Sequence, residues 1–465
     1  MMSKLKKFFI QKIKTQLENQ YGSLKKITVM GIGMHGGGLS AVVFFHRLGI
    51  KIVATDLKKE NELKEVCGKI KKLKDVELVL GCHRKRDFIN TDLIIKNPAV
   101  ANDSPFLEIA RKNNIPIESD IGLFFELCPA PIIGITGTKG KSTTASLIAH
   151  FLKIKFPKVV LAGNIRTPVF DVLDKIDKTS KVVLELSSWQ LESLKPHKKS
   201  PSIAVVLNIM PDHLNRYKNF NEYIAAKELI FKFQGPNDYL ILNGNDSILK
   251  KISKKANSKI IFFDRDKLNQ WKTCLYGEHN LDNLAAALEV ARLFGISEKK
   301  AKDSLKIFKG LEGRMEIVAK RRGITFVNDT TATIPEAAIA GMKSLIEKNP
   351  QSKIVLIAGG TDKNLDFKKF AQFIIQQVKN RRIQKVILLP GTATEKIKPE
   401  ITRYNRKSDF IIEVRSMLEA VEKAQTFARK GDTVLLSPGA ASFGLFAHEF
   451  ERGKKFCQAI AKIFP

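Results

Sequence analysis

The chain alternates short, continuously apolar runs with longer stretches whose apolar residues recur at helical spacing. That is the pattern of parallel strands buried on both faces and joined by helices. Lys26 to Met30, Lys51 to Thr55, Thr91 to Lys96 and Ile115 to Asp120 read as strands of a first α/β domain, with Leu39 to Leu48 as a helix. Pro131 to Thr136, Val182 to Leu184 and Ile203 to Leu207 read as strands of a second, and Lys353 to Ala358, Val386 to Leu389 and Val434 to Leu436 of a third. A length of 465 residues fits three domains at roughly 150 residues each. Met1 to Lys26 precedes them as a basic segment in which Leu5, Phe8, Phe9, Ile13 and Leu17 are expected on one face of a packed helix. Its flanking lysines make weak contact with a membrane surface the alternative. No apolar run approaches the ~18 residues of a membrane span.

Two strands open into glycine loops. After Ile135-Thr136 comes Gly137-Thr138-Lys139-Gly140-Lys141-Ser142-Thr143-Thr144, a strand, loop and helix start that aims backbone N–H groups at phosphate. Lys141 can reach the terminal phosphates of ATP, and the Ser142 hydroxyl can ligand Mg²⁺. The first glycine of the general ATP-loop pattern is missing, since Ile135 stands there, so a plain glycine turn is the structural alternative. Earlier, Met30 leads into Gly31-Ile32-Gly33-Met34-His35-Gly36, and Asp56 closes the next strand twenty positions after Gly36. Alone this is a weak dinucleotide signature that suggests NAD. Standing before an ATP loop, it reads better as the seat of another diphosphate, such as a nucleotide-sugar.

Further chemistry sits at strand ends. Glu185, at the end of Val182 to Leu184, lies where a Mg²⁺ ligand belongs beside a phosphate loop. His213, in Asp212-His213-Leu214, follows the strand Ile203 to Leu207, and Lys227 lies on the next helical segment. Asn280 and Asn283 open another helix within one turn of each other. Lys plus Arg number 79 against 47 acids, a net charge of +32, which points to anionic partners. The lysines are scattered, without aromatic interleaving or a basic tail, so nucleic acid is not the expected partner. Cys67, Cys82, Cys128, Cys274 and Cys457 form no paired framework, consistent with free thiols in a cytoplasmic protein.

Gly137–Thr143, Gly163-Asn164-Ile165, Glu185-Leu186-Ser187-Ser188, Asp212-His213-Leu214, Ala225-Ala226-Lys227 and Gly277-Glu278-His279-Asn280 occur here in one order, followed by Gly310-Leu311-Glu312-Gly313-Arg314, Asn328-Asp329, Gly359-Gly360-Thr361-Asp362-Lys363 and Leu436-Ser437-Pro438-Gly439. In this the chain resembles the Mur ligases over nearly its whole length. The resemblance implies a three-domain α/β fold: a Rossmann-like domain to residue 124, a central P-loop ATPase domain over 125–310 and a Rossmann-like domain over 311–465. It implies an enzyme that joins glutamate to UDP-N-acetylmuramoyl-L-alanine through an acyl phosphate, using ATP and two Mg²⁺ ions; a monomer is the separate expectation for its assembly. Gly31, Gly33, Gly36, Asp56, Asn97 and Asn164 would bind the UDP-linked substrate. Gly137, Thr138, Lys139, Gly140, Lys141, Ser142, Thr143, Asn280, Asn283, Arg314 and Asp329 would bind ATP. Ser142 and Glu185 would hold one Mg²⁺, and His213 with Lys227, as a carbamate, a second. Lys141, His213 and Lys227 would form the catalytic set, and Lys363, Ser442 and Phe443 the amino-acid pocket.

Two positions depart from the family pattern. Thr331 replaces a lysine, and Glu449 replaces an aromatic residue, both expected in the amino-acid pocket. The same departures mark a sub-group that adds L-glutamate, so the family default of D-glutamate and the L-enantiomer both stay open. Rival readings are another amino-acid ligase of the superfamily, a non-catalytic UDP-sugar binder, an NAD oxidoreductase and a nucleic-acid-stimulated ATPase.

Overall fold

A computed structural model describes residues 2–34, 36–165, 167–212, 216–268, 271, 279–308, 310–404 and 409–464. Three sheets account for the strands. The first is wholly parallel, with β1 (Lys26–Met30), β2 (Lys51–Asp56), β3 (Val76–Leu80), β4 (Leu93–Lys96) and β5 (Ile117–Glu118) in the order β3-β2-β1-β4-β5. The second, also parallel, contains β6 (Ile132–Thr136), β7 (Val159–Gly163), β8 (Lys181–Glu185), β9 (Ile203–Val206), β10 (Tyr239–Asn243) and β11 (Lys259–Phe263), in the order β11-β10-β9-β6-β8-β7. The third holds β12 (Glu316–Arg321), β13 (Ile324–Asn328), β14 (Ile354–Gly359), β15 (Ile383–Leu389), β16 (Ile411–Glu413) and β17 (Thr433–Leu436), in the order β12-β13-β17-β14-β15-β16. Only β12 runs antiparallel to its neighbour there.

The apolar runs form the inner strands because helices cover both faces of a parallel sheet. Every residue of β6 and of β14 is buried. The run Ile115 to Asp120 shortens to the two residues of β5, because Ser119 caps the helix Asp120–Leu127 by accepting the Gly122 N–H, which takes Asp120 out of the sheet.

Two compact units result, Met1–Asn269 with Leu281–Asp303, and Gln270–Asn280 with Ser304–Pro465. In the first unit one continuous apolar core runs from Ile27 and Phe45 under the first sheet to Leu184 and Val206 in the second. The N-terminal segment is the helix Met2–Tyr21, which buries Ile13 and Leu17 in that core. Phe8, expected on the same face, is instead 71% exposed, because it lies about 100° round the helix from the half-buried Phe9. Among the described residues no helix is long and apolar enough to cross a membrane. Cys67, Cys82, Cys128 and Cys457 are free thiols, and Cys274 lies outside the described residues.

Candidate functional site

The first glycine loop leaves the C-terminal end of β1. Gly36 adopts a left-handed backbone (φ 88°) at the start of the helix Gly37–Arg47, and no side chain caps that helix. Its first N–H groups are therefore turned toward an external acceptor. Asp56 accepts the Gly33 N–H on one oxygen and the Lys58 N–H on the other, both at 3.0 Å. Asn97 packs so closely that a Cβ on Gly31 would stand 2.9 Å from its own Cβ. Gly31, Gly33, Gly36, Asp56 and Asn97 thus meet at one sheet edge.

The second loop follows β6 in the same way. Gly140 (φ 86°) begins the helix Lys141–Leu152, again without a side-chain cap, and Ser142 and Thr143 lie in its first turn. The loop is held from the end of β9. The Asn208 side-chain oxygen accepts the N–H groups of Thr138 and Lys139 at 3.1 and 2.9 Å, and its amide donates to the Lys139 carbonyl at 3.2 Å. The Thr138 hydroxyl donates to the Met210 carbonyl and lies 3.3 Å from the Tyr223 hydroxyl. Lys141 Nζ donates to the carbonyls of Gly137 and Thr138 at 3.0 and 3.1 Å, positions that phosphate oxygens can take over. Asn283, on the helix His279–Leu293, is buried and accepts the Thr144 hydroxyl at 3.2 Å; Asn280 stands in the first turn of that helix.

Glu185 ends β8, the neighbour of β6. One oxygen accepts from the Asn164 amide at 2.9 Å, so Asn164 is tied to the carboxylate beside the second loop. The other oxygen is buried without a hydrogen-bond partner. A bare carboxylate oxygen next to an uncapped phosphate loop fits a hard cation such as Mg²⁺. Among the described residues no group of three or more His, Cys, Asp or Glu side chains could hold a metal ion. His213 lies outside the described residues. Lys227 is 2% exposed, donates to the Gly137 carbonyl at 3.0 Å and lies over the Tyr223 ring. Burial first, and the Lys141 charge second, push its ammonium down to about 7.

The second unit builds a separate cluster. Lys363 Nζ lies 5.7 Å from the centre of the Phe443 ring, beside the buried Ser442. Paired backbone bonds between Thr361 and Ala441 (2.9 and 3.0 Å) join the two loops that carry them. Asp329 accepts the Ser437 hydroxyl at 2.7 Å and the Met315 N–H at 3.2 Å, and burial pushes its carboxyl up to about 7. Arg314 is exposed. The Thr331 hydroxyl donates to the Gly313 carbonyl at 2.9 Å, which gives this residue a local loop partner. Glu449 opens the helix Glu449–Ile463, where its charge stabilises the guanidinium of Arg452, a fully buried side chain of the same helix.

Models of three domain families match the chain in order: the Mur ligase MurD-like N-terminal domain over residues 25–119, the Mur ligase middle domain over 135–274 and the Mur ligase glutamate ligase domain over 313–439. The UDP-N-acetylmuramoylalanine–D-glutamate ligase of Roseiflexus sp. (strain RS-1) is 38% identical over 93% of this chain and 97% of its own. The chain belongs to the Mur ligase family. The ligase of the same name from Borreliella afzelii (strain PKo) is 37% identical over 92% of this Mur ligase and 96% of its own length. Two solved structures share the fold. The UDP-N-acetylmuramate-alanine ligase MurC of Thermotoga maritima has a TM-score of 0.59 at 18% identity, covering 95% of this chain and 100% of that one. MurF ligase of Thermotoga maritima, in complex with ADP, has a TM-score of 0.54 at 18% identity, covering 89% and 96%. Mur ligases are ATP-dependent ligases, and the α/β fold with three Mur-ligase domains is the one the sequence predicts.

Two residues that shape this Mur ligase's second glycine loop had escaped the sequence reading. Asn208 and Tyr223 bond the loop from β9 and the following helix. The one signal available was an amide at the C-terminal end of a strand in an α/β sheet, the edge where ligand-binding groups gather.

Proposed function

We propose that this Mur ligase joins glutamate to the alanyl carboxylate of UDP-N-acetylmuramoyl-L-alanine, with cleavage of ATP, in peptidoglycan precursor synthesis. The observation that carries the reading is a pair of uncapped glycine loops, one at the end of each sheet of a single compact unit. One suits the diphosphate of a UDP-linked acceptor and the other a nucleoside triphosphate. The name shared by the relatives supports glutamate as the added residue, with D-glutamate as the default. We assign 1–124 to the UDP-linked substrate, 125–310 to ATP and 311–465 to the amino acid, in a cytoplasmic monomer.

The acceptor carboxylate attacks the γ-phosphorus of ATP, the bond to the β-phosphate oxygen breaks, and ADP leaves an acyl phosphate. Lys141, exchanging its loop carbonyls for phosphate oxygens, offsets the charge that develops. Backbone N–H groups of Gly137–Thr143 hold the phosphates, and Asn280, Asn283, Arg314 and Asp329 address the rest of the nucleotide. Ser142 and Glu185 would hold Mg²⁺, with His213 and Lys227 serving a second ion; when bound it neutralises phosphate charge. Lys227 suits this role as a carbamate, since an amine that burial pushes down to about 7 offers a neutral fraction at neutral pH that can add CO₂, lose a proton and so become an anionic oxygen donor. Lys363, Ser442 and Phe443 receive glutamate, whose amine attacks the acyl carbon. Phosphate then departs with the bonding pair, and the amine loses a proton.

Phosphate release is measured with ATP, Mg²⁺ and UDP-N-acetylmuramoyl-L-alanine, offering D- and L-glutamate separately and weighing the product by mass spectrometry. Turnover with D-glutamate is expected. Turnover with the L-form alone makes Thr331 and Glu449 determinants of handedness, and turnover with neither overturns the assignment.

A further inference from the structure

The order β3-β2-β1-β4-β5 reverses between β1 and β4, and a ligand of an open α/β sheet sits in the crevice at that reversal. Lys96 is the last residue of β4 and pairs in register with Met30, the last residue before the glycine loop. It lines a small cavity together with Gly31, Gly37, Gly38, Asn97 and Asp120. We propose that Lys96 is the cation that recognises the diphosphate of the UDP-linked acceptor. This rests on the reading of the first domain as the UDP site.

The surroundings of Lys96 make little sense without an anion. Among the described residues its one hydrogen-bond partner is the Val100 carbonyl, at 3.2 Å, and no carboxylate lies within ion-pair distance. The charged groups that face it come from four directions: Asp120 of the helix Asp120–Leu127, Arg111 of the helix Pro105–Lys112, and Arg216 and Glu192 of the second domain. Arg216 is fixed there, donating to the carbonyls of Pro98 and Ala99 at 3.3 Å and lying over the Trp189 ring. Burial, and then the Arg216 charge, push the Lys96 ammonium down to about 8, while burial pushes the Asp120 carboxyl up to about 6. A half-buried cation with two arginines for neighbours and no bonded acid is costly in isolation and well matched to a dianion. The uncapped helix start at Gly37 supplies N–H donors at the same place. The glycine loop grips the diphosphate through its backbone, and Lys96 adds the charge that the backbone lacks.

The test uses the full chain with Lys96→Met and Lys96→Arg. In the Met variant KM for UDP-N-acetylmuramoyl-L-alanine is expected to rise about 10- to 100-fold, while kcat and KM for ATP and glutamate move less than about twofold. Lys96→Arg should stay near wild type. Calorimetric titration reads the charge directly: wild-type enzyme should bind UDP more tightly than uridine, and the Met variant should lose that advantage while its affinity for uridine holds. A lysine that deprotonates near 8 also makes wild-type kcat/KM for this substrate fall above pH 8, a fall that Lys96→Arg should lack because arginine stays charged. Unchanged UDP affinity in Lys96→Met overturns the proposal, as does a joint change in all three KM values together with thermal midpoint, the mark of a scaffold residue. Wild-type enzyme that binds no UDP-linked substrate overturns the reading of the domain, and the role of Lys96 with it.

Discussion

At the scale of single residues, the site depends on atoms that only the folded chain brings together. Gly140 shows this. Its φ of 86° is strained for any L-side chain, and a Cβ there would stand 2.1 Å from the Asn283 side-chain oxygen. Gly140→Ala is expected to lower ATP-dependent phosphate release by about 100-fold, as strain and displaced Asn283 together misplace the loop. The far-ultraviolet circular dichroism of the full chain should be unchanged; a variant with normal turnover would show that the loop tolerates the shift. The sequence displays Gly137, Gly140 and Lys141 because backbone demands leave a local signature. Asn208 and Asn283 act across about 70 and 140 positions of chain, and no local pattern encodes such meetings. Lys227 lies between these cases. Its identity came from resemblance, but the burial that lowers its ammonium came only from the fold.

At the scale of elements, most inner strands were readable, though β10 and β13 were missed, and of the edge strands only β5 was expected. β6 and β14 are buried at every position, whereas β3 and β11 mix exposed and buried residues because sheet edges keep fewer covered faces. The helix Glu449–Ile463 carries a feature that its amphipathic pattern hides. Arg452 is fully buried, donating to the Thr330 hydroxyl and carbonyl (3.1 and 2.8 Å) and to the carbonyls of Ala440 and Ala441 (3.0 and 3.2 Å). It ties the loop after β13 and the loop after β17, which leads to Ser442 and Phe443, to one helix. Burial pushes it down to about 10, still charged at neutral pH, and Glu449 opposes that shift. Arg452→Met keeps the volume but leaves these acceptors unsatisfied, and should cost about 2–4 kcal/mol. Urea denaturation of the full chain, with hydrogen exchange on this helix, measures the loss. A change below about 0.5 kcal/mol would mean that water replaces the guanidinium.

At the scale of the whole molecule, the first two sheets share one core and a buried charged junction. The His197 ring bonds Glu118 at 2.9 Å and Glu126 at 3.0 Å; Tyr21 completes Glu118, and Lys199 completes Glu126. Two carboxylates on the two ring nitrogens require imidazolium. The Glu118 bond, opposed by burial, raises the affinity of His197 for its proton. Stability from this group is therefore complete below the ordinary histidine value of 6.5 and is lost as pH rises through the raised one. Glu126 has the opposite sign: burial raises it, but the Lys199 bond wins and holds it low, so its share disappears as acid passes that lowered value. The thermal midpoint should fall from pH 6.5 toward alkaline pH in the wild type and lie flatter in His197→Gln. Equal slopes would remove His197 as the cause. Three α/β domains were visible from the sequence, whereas the continuous core of the first two sheets and this junction were not, because the residues that build them come from separate domain patterns.

The order of the second sheet also bears on how the protein comes into being. β6 is the first of its strands to be synthesised, yet it ends in the middle, between β8 and β9. At ribosomal speed the stretch from Thr136 to Lys181 takes on the order of a few seconds, during which a strand that ends up wholly buried has neither neighbour. The nascent ligase thus passes through an interval in which the glycine loop after β6 hangs from an unpaired strand. That interval is when chaperones and competing chains can reach it.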